Sequence, residues 1–217
     1  MHDLLTQRGL RDRSEIALVM PLPVPIPPSP DASAALLDAF AERGITFHGA
    51  QQVTGLDPER KVVMLADGTE LPYDLFLGIP VHHVPEVVAE SGMCVDGWIP
   101  VNPLTLETSS PGVYAVGDVT SVGTPKAGSM SEGQAAVVAE EIIALHREGP
   151  EPDSYDGYGI CYIELGGDEV ARVQITFLSG ETPRGEYDGA SADHLAEKAE
   201  FGSSRIRRWF GQEWSSY

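Results

Sequence analysis

A run of small and apolar residues that ends on a glycine and a carboxylate constrains this chain more than any other feature. Gly112-Val113-Tyr114-Ala115-Val116 contains a strand over 113–116, and Gly117-Asp118 follows at its carboxyl end. A carboxylate at that position sits where open α/β folds place their ligands. A glycine there lets a backbone approach closely where a side chain would clash. Pro125-Lys126-Ala127-Gly128 then leads into a helix over 129–146, whose early residues are small: Ser129, Ser131, Gly133, Ala135, Ala136 and Ala139. The start of a helix carries free N–H groups and the positive end of the macrodipole, which together favour negative charge. Gly-Asp alone is an ordinary strand-end turn. The ordered set of strand, Gly-Asp, loop and small-residue helix points to a ligand site.

The residues before this set alternate between two architectures. Glu15-Ile16-Ala17-Leu18-Val19-Met20 is a continuous apolar run, as expected of a parallel strand buried on both faces. An extended proline-rich loop over 21–30 follows it. A helix then starts at Ser29-Pro30-Asp31, carries an apolar stripe of Leu36, Leu37, Phe40 and Ala41, and ends at Gly44. Ile45-Thr46-Phe47-His48 is the next strand, which completes half of a doubly wound α/β unit. Residues 53–56 and 61–65 read as paired antiparallel strands, with a hairpin turn at Ala66-Asp67-Gly68-Thr69. Residues 73–78 read as a buried strand and 85–91 as a short helix. Composition shifts at Gly149-Pro150-Glu151-Pro152-Asp153, which marks a boundary. Beyond it, 159–165 and 170–177 form a hairpin around Gly166-Gly167-Asp168, and 192–209 is a helix with a basic end.

Charge narrows the partners. The formal net charge is -19, with 33 acidic against 14 basic residues. Phosphate backbones and anionic membrane surfaces are repelled by such a chain, so nucleic acid is excluded as a partner and membrane contact is at most peripheral. An apolar content of 42% supports a packed core. Met1-His2-Asp3 lacks the basic and apolar segments of a signal peptide, and no run reaches the roughly 18 apolar residues of a membrane span. The expected location is cytoplasmic, with at most a peripheral position at the inner face of the membrane.

The stretch Thr108-Ser109-Ser110-Pro111-Gly112-Val113-Tyr114-Ala115-Val116-Gly117-Asp118 resembles the second FAD fingerprint of the two-dinucleotide-domain flavoproteins, which include the pyridine nucleotide–disulfide oxidoreductases. Residues 66–75, read as DGxxxxYD, are similar to the segment by which that family leads the chain out of its nucleotide domain. The resemblance implies an α/β chain with a partial, Rossmann-like two-dinucleotide-binding-domain flavoprotein fold and a C-terminal α+β segment. It also implies FAD as cofactor, with Gly117 and Asp118 at the ribityl chain and Lys126, Ala127, Gly128 and Ser129 at the flavin ring. The expected division is a partial NAD(P)-binding-like domain over 1–82, the C-terminal part of the FAD domain over 83–149, and a C-terminal α+β interface domain over 150–217.

Two segments narrow the resemblance to the branch of sulfide:quinone oxidoreductases, flavocytochrome c sulfide dehydrogenases and type II NADH dehydrogenases. Pro125-Lys126-Ala127-Gly128 is similar to their flavin-ring loop. Tyr155-Asp156-Gly157-Tyr158-Gly159-Ile160-Cys161 is similar to the segment that carries a redox cysteine in the sulfide enzymes. That resemblance implies a catalytic Cys161, which takes sulfide sulfur as a persulfide and passes electrons on to flavin. The chemistry requires a thiolate, and hence a neighbouring cation or helix end. An apolar strand is equally a place for an inert, structural cysteine. Cys94 lies in an irregular stretch and matches no catalytic position. His82-His83 lacks a third ligand at metal-site spacing, and adjacent extended residues point to opposite sides. Arg207-Arg208-Trp209-Phe210 suits a helix end docked on the flavin domain or a dimer partner, in preference to a membrane anchor.

No GxGxxG pyrophosphate loop occurs in these residues. The expected partners are therefore an N-terminal FAD-binding half or a second chain, with homo-oligomers as a further form. The expected function is electron transfer from sulfide or a related donor through flavin to a quinone or other acceptor. The alternatives are an NADH:quinone-type enzyme using NAD(P)H, or a non-catalytic remnant or interaction module.

Overall fold

In a computed structural model, residues 1–147, 151–178, 180 and 182–213 are described. The Gly149-Pro150 part of the expected boundary lies outside them. The chain divides into two compact units. One comprises Met1–Leu77, Cys161–Val173 and the described residues from Gly185 onward; the other comprises the described residues of Gly78–Ile160 and Gln174–Arg184. The segment 150–217 thus contributes residues to both.

The first unit opens with a short helix, α1 (His2–Gln7), which the sequence gives little sign of. Strand β1 (Ile16–Val19), helix α2 (Pro30–Glu42) and strand β2 (Ile45–His48) follow, with β1 and β2 parallel and Ile16 opposite Ile45. The helix starts where the sequence requires. Ser29 accepts the Ala32 N–H with its side chain, Pro30 stands at the first helical position, and Gly44 adopts φ +61° just past the end. The Ser33 hydroxyl binds Ile26 N and O, which holds the proline-rich loop against the helix. The buried face of α2 is Ala32, Ser33 and Ala39. Leu36, Leu37 and Phe40 are half-buried and Ala41 is exposed, so the apolar stripe is rotated from the expected one. Phe40 stacks on Phe47 at 6.0 Å. The expectation that β1 is buried on both faces does not hold. Its sheet has two strands and Leu18 is 40% exposed, because covering helices on both faces are what bury a parallel strand.

Strands β3 (Val53–Asp57), β4 (Val62–Leu65) and β5 (Glu70–Pro72) form an antiparallel meander with β4 in the centre. Val63 and Leu65 supply its buried face. The expected turn at 66–69 forms, with Asp67 accepting the Thr69 N–H and Gly68 at φ +88°. Residues 73–78 are not a strand. Leu75 and Leu77 are 64% and 74% exposed, and among the described residues no neighbouring strand offers them a ladder. A third sheet takes β6 (Tyr158–Gly166), β7 (Glu169–Thr176) and β8 (Gly185–Ser191) in that order, and helix α5 (Ala192–Phe210) follows it. Arg172 of β7 binds Asp188 of β8 and Glu197 of α5, which ties strand to helix. Trp209 and Phe210 stay 53% and 65% exposed.

In the second unit, regular structure is sparse. Helix α3 (Glu86–Ala89) is one turn, and α4 (Gly128–His146) is the main element. The expected strand at 113–116 reduces to a single bridge between Tyr114 and Glu107, since no longer partner lies beside it among the described residues. The core is Leu106, Val122 and Tyr155, packed by Val101, Val116, Val137, Val138 and Leu178. Leu106 is fully buried and adopts φ +61°, a conformation its side chain disfavours. Packing around its side chain therefore holds the 102–106 turn in place. We expect Leu106→Ala to destabilise the second unit by about 2–5 kcal/mol, because the strain stays while the packing is lost. Urea unfolding of the variant against the parent measures it.

Candidate active site

The site is built on one turn. Gly117–Val119 forms a single 3-10 turn that leaves an extended Val116 and returns to an extended Thr120. Gly117 takes φ +77°, and a Cβ there would lie 3.2 Å from the Ser131 hydroxyl of α4. Glycine is needed for both reasons: the left-handed backbone and the close approach of helix to turn. The Gly117 N–H donates to Gln134 Oε1 at 2.6 Å. Gln134 is 2% exposed, and its amide nitrogen faces the Tyr155 hydroxyl at 3.4 Å.

Every carbonyl of the turn has a donor. The Thr120 N–H and hydroxyl both donate to Gly117 O, at 3.1 and 2.9 Å. The Ile99 N–H donates to Val119 O at 2.9 Å. The Lys126 ammonium donates to Asp118 O at 2.5 Å and to Thr120 O at 2.9 Å, and sits 3.6 Å from the centre of the Trp98 ring. Loss of water around the ammonium lowers the Lys126 pKa below its ordinary value, and the nearby Asp118 charge opposes that shift. The Asp118 carboxylate is exposed and makes no hydrogen bond to another group among the described residues. It borders an open cavity of about 260 Å³ with Val81, His82, His83, Trp98 and Lys126.

Helix α4 begins beside this turn. Its N-cap is Ala127, which offers no side-chain cap, and its first turn holds no acidic residue. The amides of Gly128 and Ser129 therefore stand at an uncapped positive end. The Thr124 hydroxyl is buried without a partner among the described residues, in the small recess that also contains Gly117, Ser131 and Gln134. A spare hydroxyl, a free carboxylate and uncapped amides beside a glycine backbone fit a polyhydroxylated, anionic group.

Six of the expected site residues, Gly117, Asp118, Lys126, Ala127, Gly128 and Ser129, thus come together in the second unit. Cys161 lies on β6 in the first. The residue is exposed, and partial desolvation pushes its thiol pKa up. That direction is opposite to the one a reactive thiolate requires. Cys94 is half-buried and its thiol faces Val88 O at 3.5 Å. His82 and His83 both border the cavity, where adjacent extended residues were expected to diverge. His83 Nδ1 binds Val84 O at 3.0 Å. Among the described residues no group of three His, Cys, Asp or Glu could hold a metal, and no helix is long and apolar enough to cross a membrane. Sequence reasoning missed Trp98, Thr124 and Gln134. A Gln immediately before the apolar run 135–139, one helical turn after Ser131, was the available sign.

A family model described as pyridine nucleotide-disulphide oxidoreductase matches residues 10–141. The sulfide-quinone reductase of Aquifex aeolicus is 28% identical over 147 residues, 60% of this chain and 34% of that protein. The mitochondrial sulfide:quinone oxidoreductase of Schizosaccharomyces pombe is 28% identical over 135 residues, 59% of this chain and 29% of that protein. The chain therefore spans about a third of the curated relatives it matches. The solved sulfide:quinone oxidoreductase of Aquifex aeolicus superimposes with a TM-score of 0.76 at 19% identity, over 98% of this chain and 58% of that one. The fold is accordingly an incomplete α/β fold of the two-dinucleotide-binding flavoprotein kind.

Two outcomes test this geometry. Gln134→Leu leaves the Gly117 N–H without its acceptor, and we expect a loss of about 1–3 kcal/mol in urea unfolding. Cys161 should alkylate slowly with iodoacetamide at neutral pH. Because its pKa is raised, the rate should climb only as pH passes the ordinary thiol range; fast alkylation at pH 7 would show a thiolate instead.

Proposed function

From the premise that the chain belongs to the pyridine nucleotide-disulphide oxidoreductase family, we propose that it forms the flavin-gripping part of an FAD-dependent oxidoreductase. The observation that carries this reading is the free Asp118 carboxylate, presented by a turn whose carbonyls all have donors beside the uncapped start of α4. Asp118 would hold the ribityl hydroxyls, and the Gly128 and Ser129 amides would face the electron-rich edge of the ring. Bound flavin supplies two-electron redox chemistry. The chain's own part is to bind, to orient, and to set positive potential from backbone N–H groups where negative charge accumulates.

The proposed donor is sulfide or a related reduced-sulfur species and the proposed acceptor a quinone. This rests on the two sulfide:quinone relatives and the Cys161 segment. A second reading has a specific observation behind it. A Cys161 thiol whose pKa is pushed up by desolvation lacks the activation that sulfide chemistry asks for, whereas NADH as donor needs no thiolate.

The proposed partner is a polypeptide, in the same or another chain, that carries the pyrophosphate loop. Support comes from α4. Met130 and Gln134 are buried and Val137 and Val138 pack on the core, yet Ala135, Ala136 and Ala139 are exposed and Ile142 and Ile143 are 43% and 51% exposed. Exposed apolar residues on a helix whose other side already packs on a core are a surface a partner can cover.

The test is FAD titration with the parent and Asp118→Ala, each with the N-terminal half supplied. We expect the parent to bind and Asp118→Ala to weaken binding by about tenfold or more, as loss of a charge-assisted hydrogen bond gives. Equal affinity of the two overturns the assignment. Bleaching of the bound flavin by sulfide, but not in Cys161→Ser, selects the first donor; bleaching by NADH in both proteins selects the second.

A further inference from the structure

Lys126 is the natural candidate for a cation that meets the reduced flavin's charge, but its geometry gives it a different task. An ammonium has three N–H donors. Here two carbonyls, Asp118 O and Thr120 O, take it at 2.5 and 2.9 Å, and the Trp98 ring covers it at 3.6 Å. Asp118 O and Thr120 O are two of the four carbonyls around the Gly117–Thr120 turn. Backbone carbonyls are held by the donors they have, so removing Lys126 releases the Asp118–Val119 and Thr120–Ser121 peptides at once. We propose that Lys126 is a positioning residue: clamped between Trp98 and the two carbonyls, it fixes the turn that aims the Asp118 carboxylate, and acts on a cofactor only through that turn.

Trp98 belongs to the same device. It adjoins Ile99, whose N–H binds Val119 O and whose carbonyl accepts the Ser121 N–H at 3.1 Å. The indole face therefore stays in register with the turn it supports. Cation–π contact adds attraction on one face of the ammonium.

The link to a cofactor rests on the flavin reading above; the clamp itself does not, and the experiment separates them. In the cofactor-free chain, amide hydrogen exchange is measured over 117–126, with β3–β5 as internal reference. We expect Lys126→Met to speed exchange across 117–126 by about tenfold or more, the factor that ~1.4 kcal/mol of lost local stability gives. Trp98→Ala should do the same in part, and the double variant should show less than the sum. Unchanged exchange over 117–126 in Lys126→Met overturns the clamp. With FAD and the N-terminal half supplied, Lys126→Met should weaken binding in the parent and have no further effect in Asp118→Ala. Additive losses would show that Lys126 touches the cofactor itself and overturn the indirect role. If the parent binds no FAD, the flavin reading fails while the exchange result still decides the clamp.

Discussion

Gln134 accepts the Gly117 N–H at 2.6 Å from a side chain that is 2% exposed, and the rest of the candidate site hangs on that bond. It joins the second turn of α4 to the turn before the helix. Gly117 can then sit with its Cα against Ser131, at a φ that suits glycine. The carbonyls of the 3-10 turn accept from Ile99, Thr120 and Lys126, and the Asp118 carboxylate makes no hydrogen bond among the described residues. The same glutamine reaches Tyr155, a core residue of the unit, so packing around Leu106 and Val122 is transmitted to the turn. An exposed carboxylate held by a buried amide is a rigid arrangement in a unit otherwise poor in regular structure.

The charge balance fits this economy of cations. A chain of net charge -19 would repel an anionic ligand at long range. Several of its basic side chains are committed to acidic neighbours: Arg60 to Glu70, Arg172 to Asp188 and Glu197, Lys198 to Glu164, Arg207 to Glu200. Lys126 is committed to carbonyls. Beside the Lys126 ammonium, the N–H groups at the start of α4 supply positive potential at the site. Such a source acts within the first turn of a helix and fades beyond it. It therefore favours charge at one place without reversing the sign of the surface.

Local chemistry was legible in the sequence and long-range chemistry was not. Ser29-Pro30 and Gly44 bracket α2 because cap and breaker residues act within a few positions. The same holds for Asp67-Gly68 in its turn and for Gly166-Gly167-Asp168 between β6 and β7. Gly117-Asp118 and the start of α4 were legible as an ordered set. Residues 73–78 and 113–116 were misread as full strands, since apolar character does not reveal whether a neighbour is present to complete a ladder. Trp98 was invisible because it lies 28 residues before Lys126 and nothing local marks their contact. The stripe on α2 was misplaced because small residues, Ala32 and Ala39, take the closest contact while larger ones flank it.

Cys161 shows where a matching segment and a matching environment part company. The segment before it resembles one that carries a redox sulfur, yet in the described structure desolvation alone acts on the thiol and raises its pKa. A nucleophilic thiolate needs positive potential within a few ångströms, from a cation or a helix N-terminus. Tyr162, the next residue, spends its hydroxyl on Glu197, and Glu197 is in turn neutralised by Arg172. Arg172, a cation on that sheet, is thus already paired with carboxylates. Sulfide chemistry at Cys161 consequently requires positive charge from outside this network, contributed by a bound cofactor or by polypeptide beyond these residues. Hydride chemistry has no such requirement, so sulfide and hydride donors differ in what they ask of this one thiol.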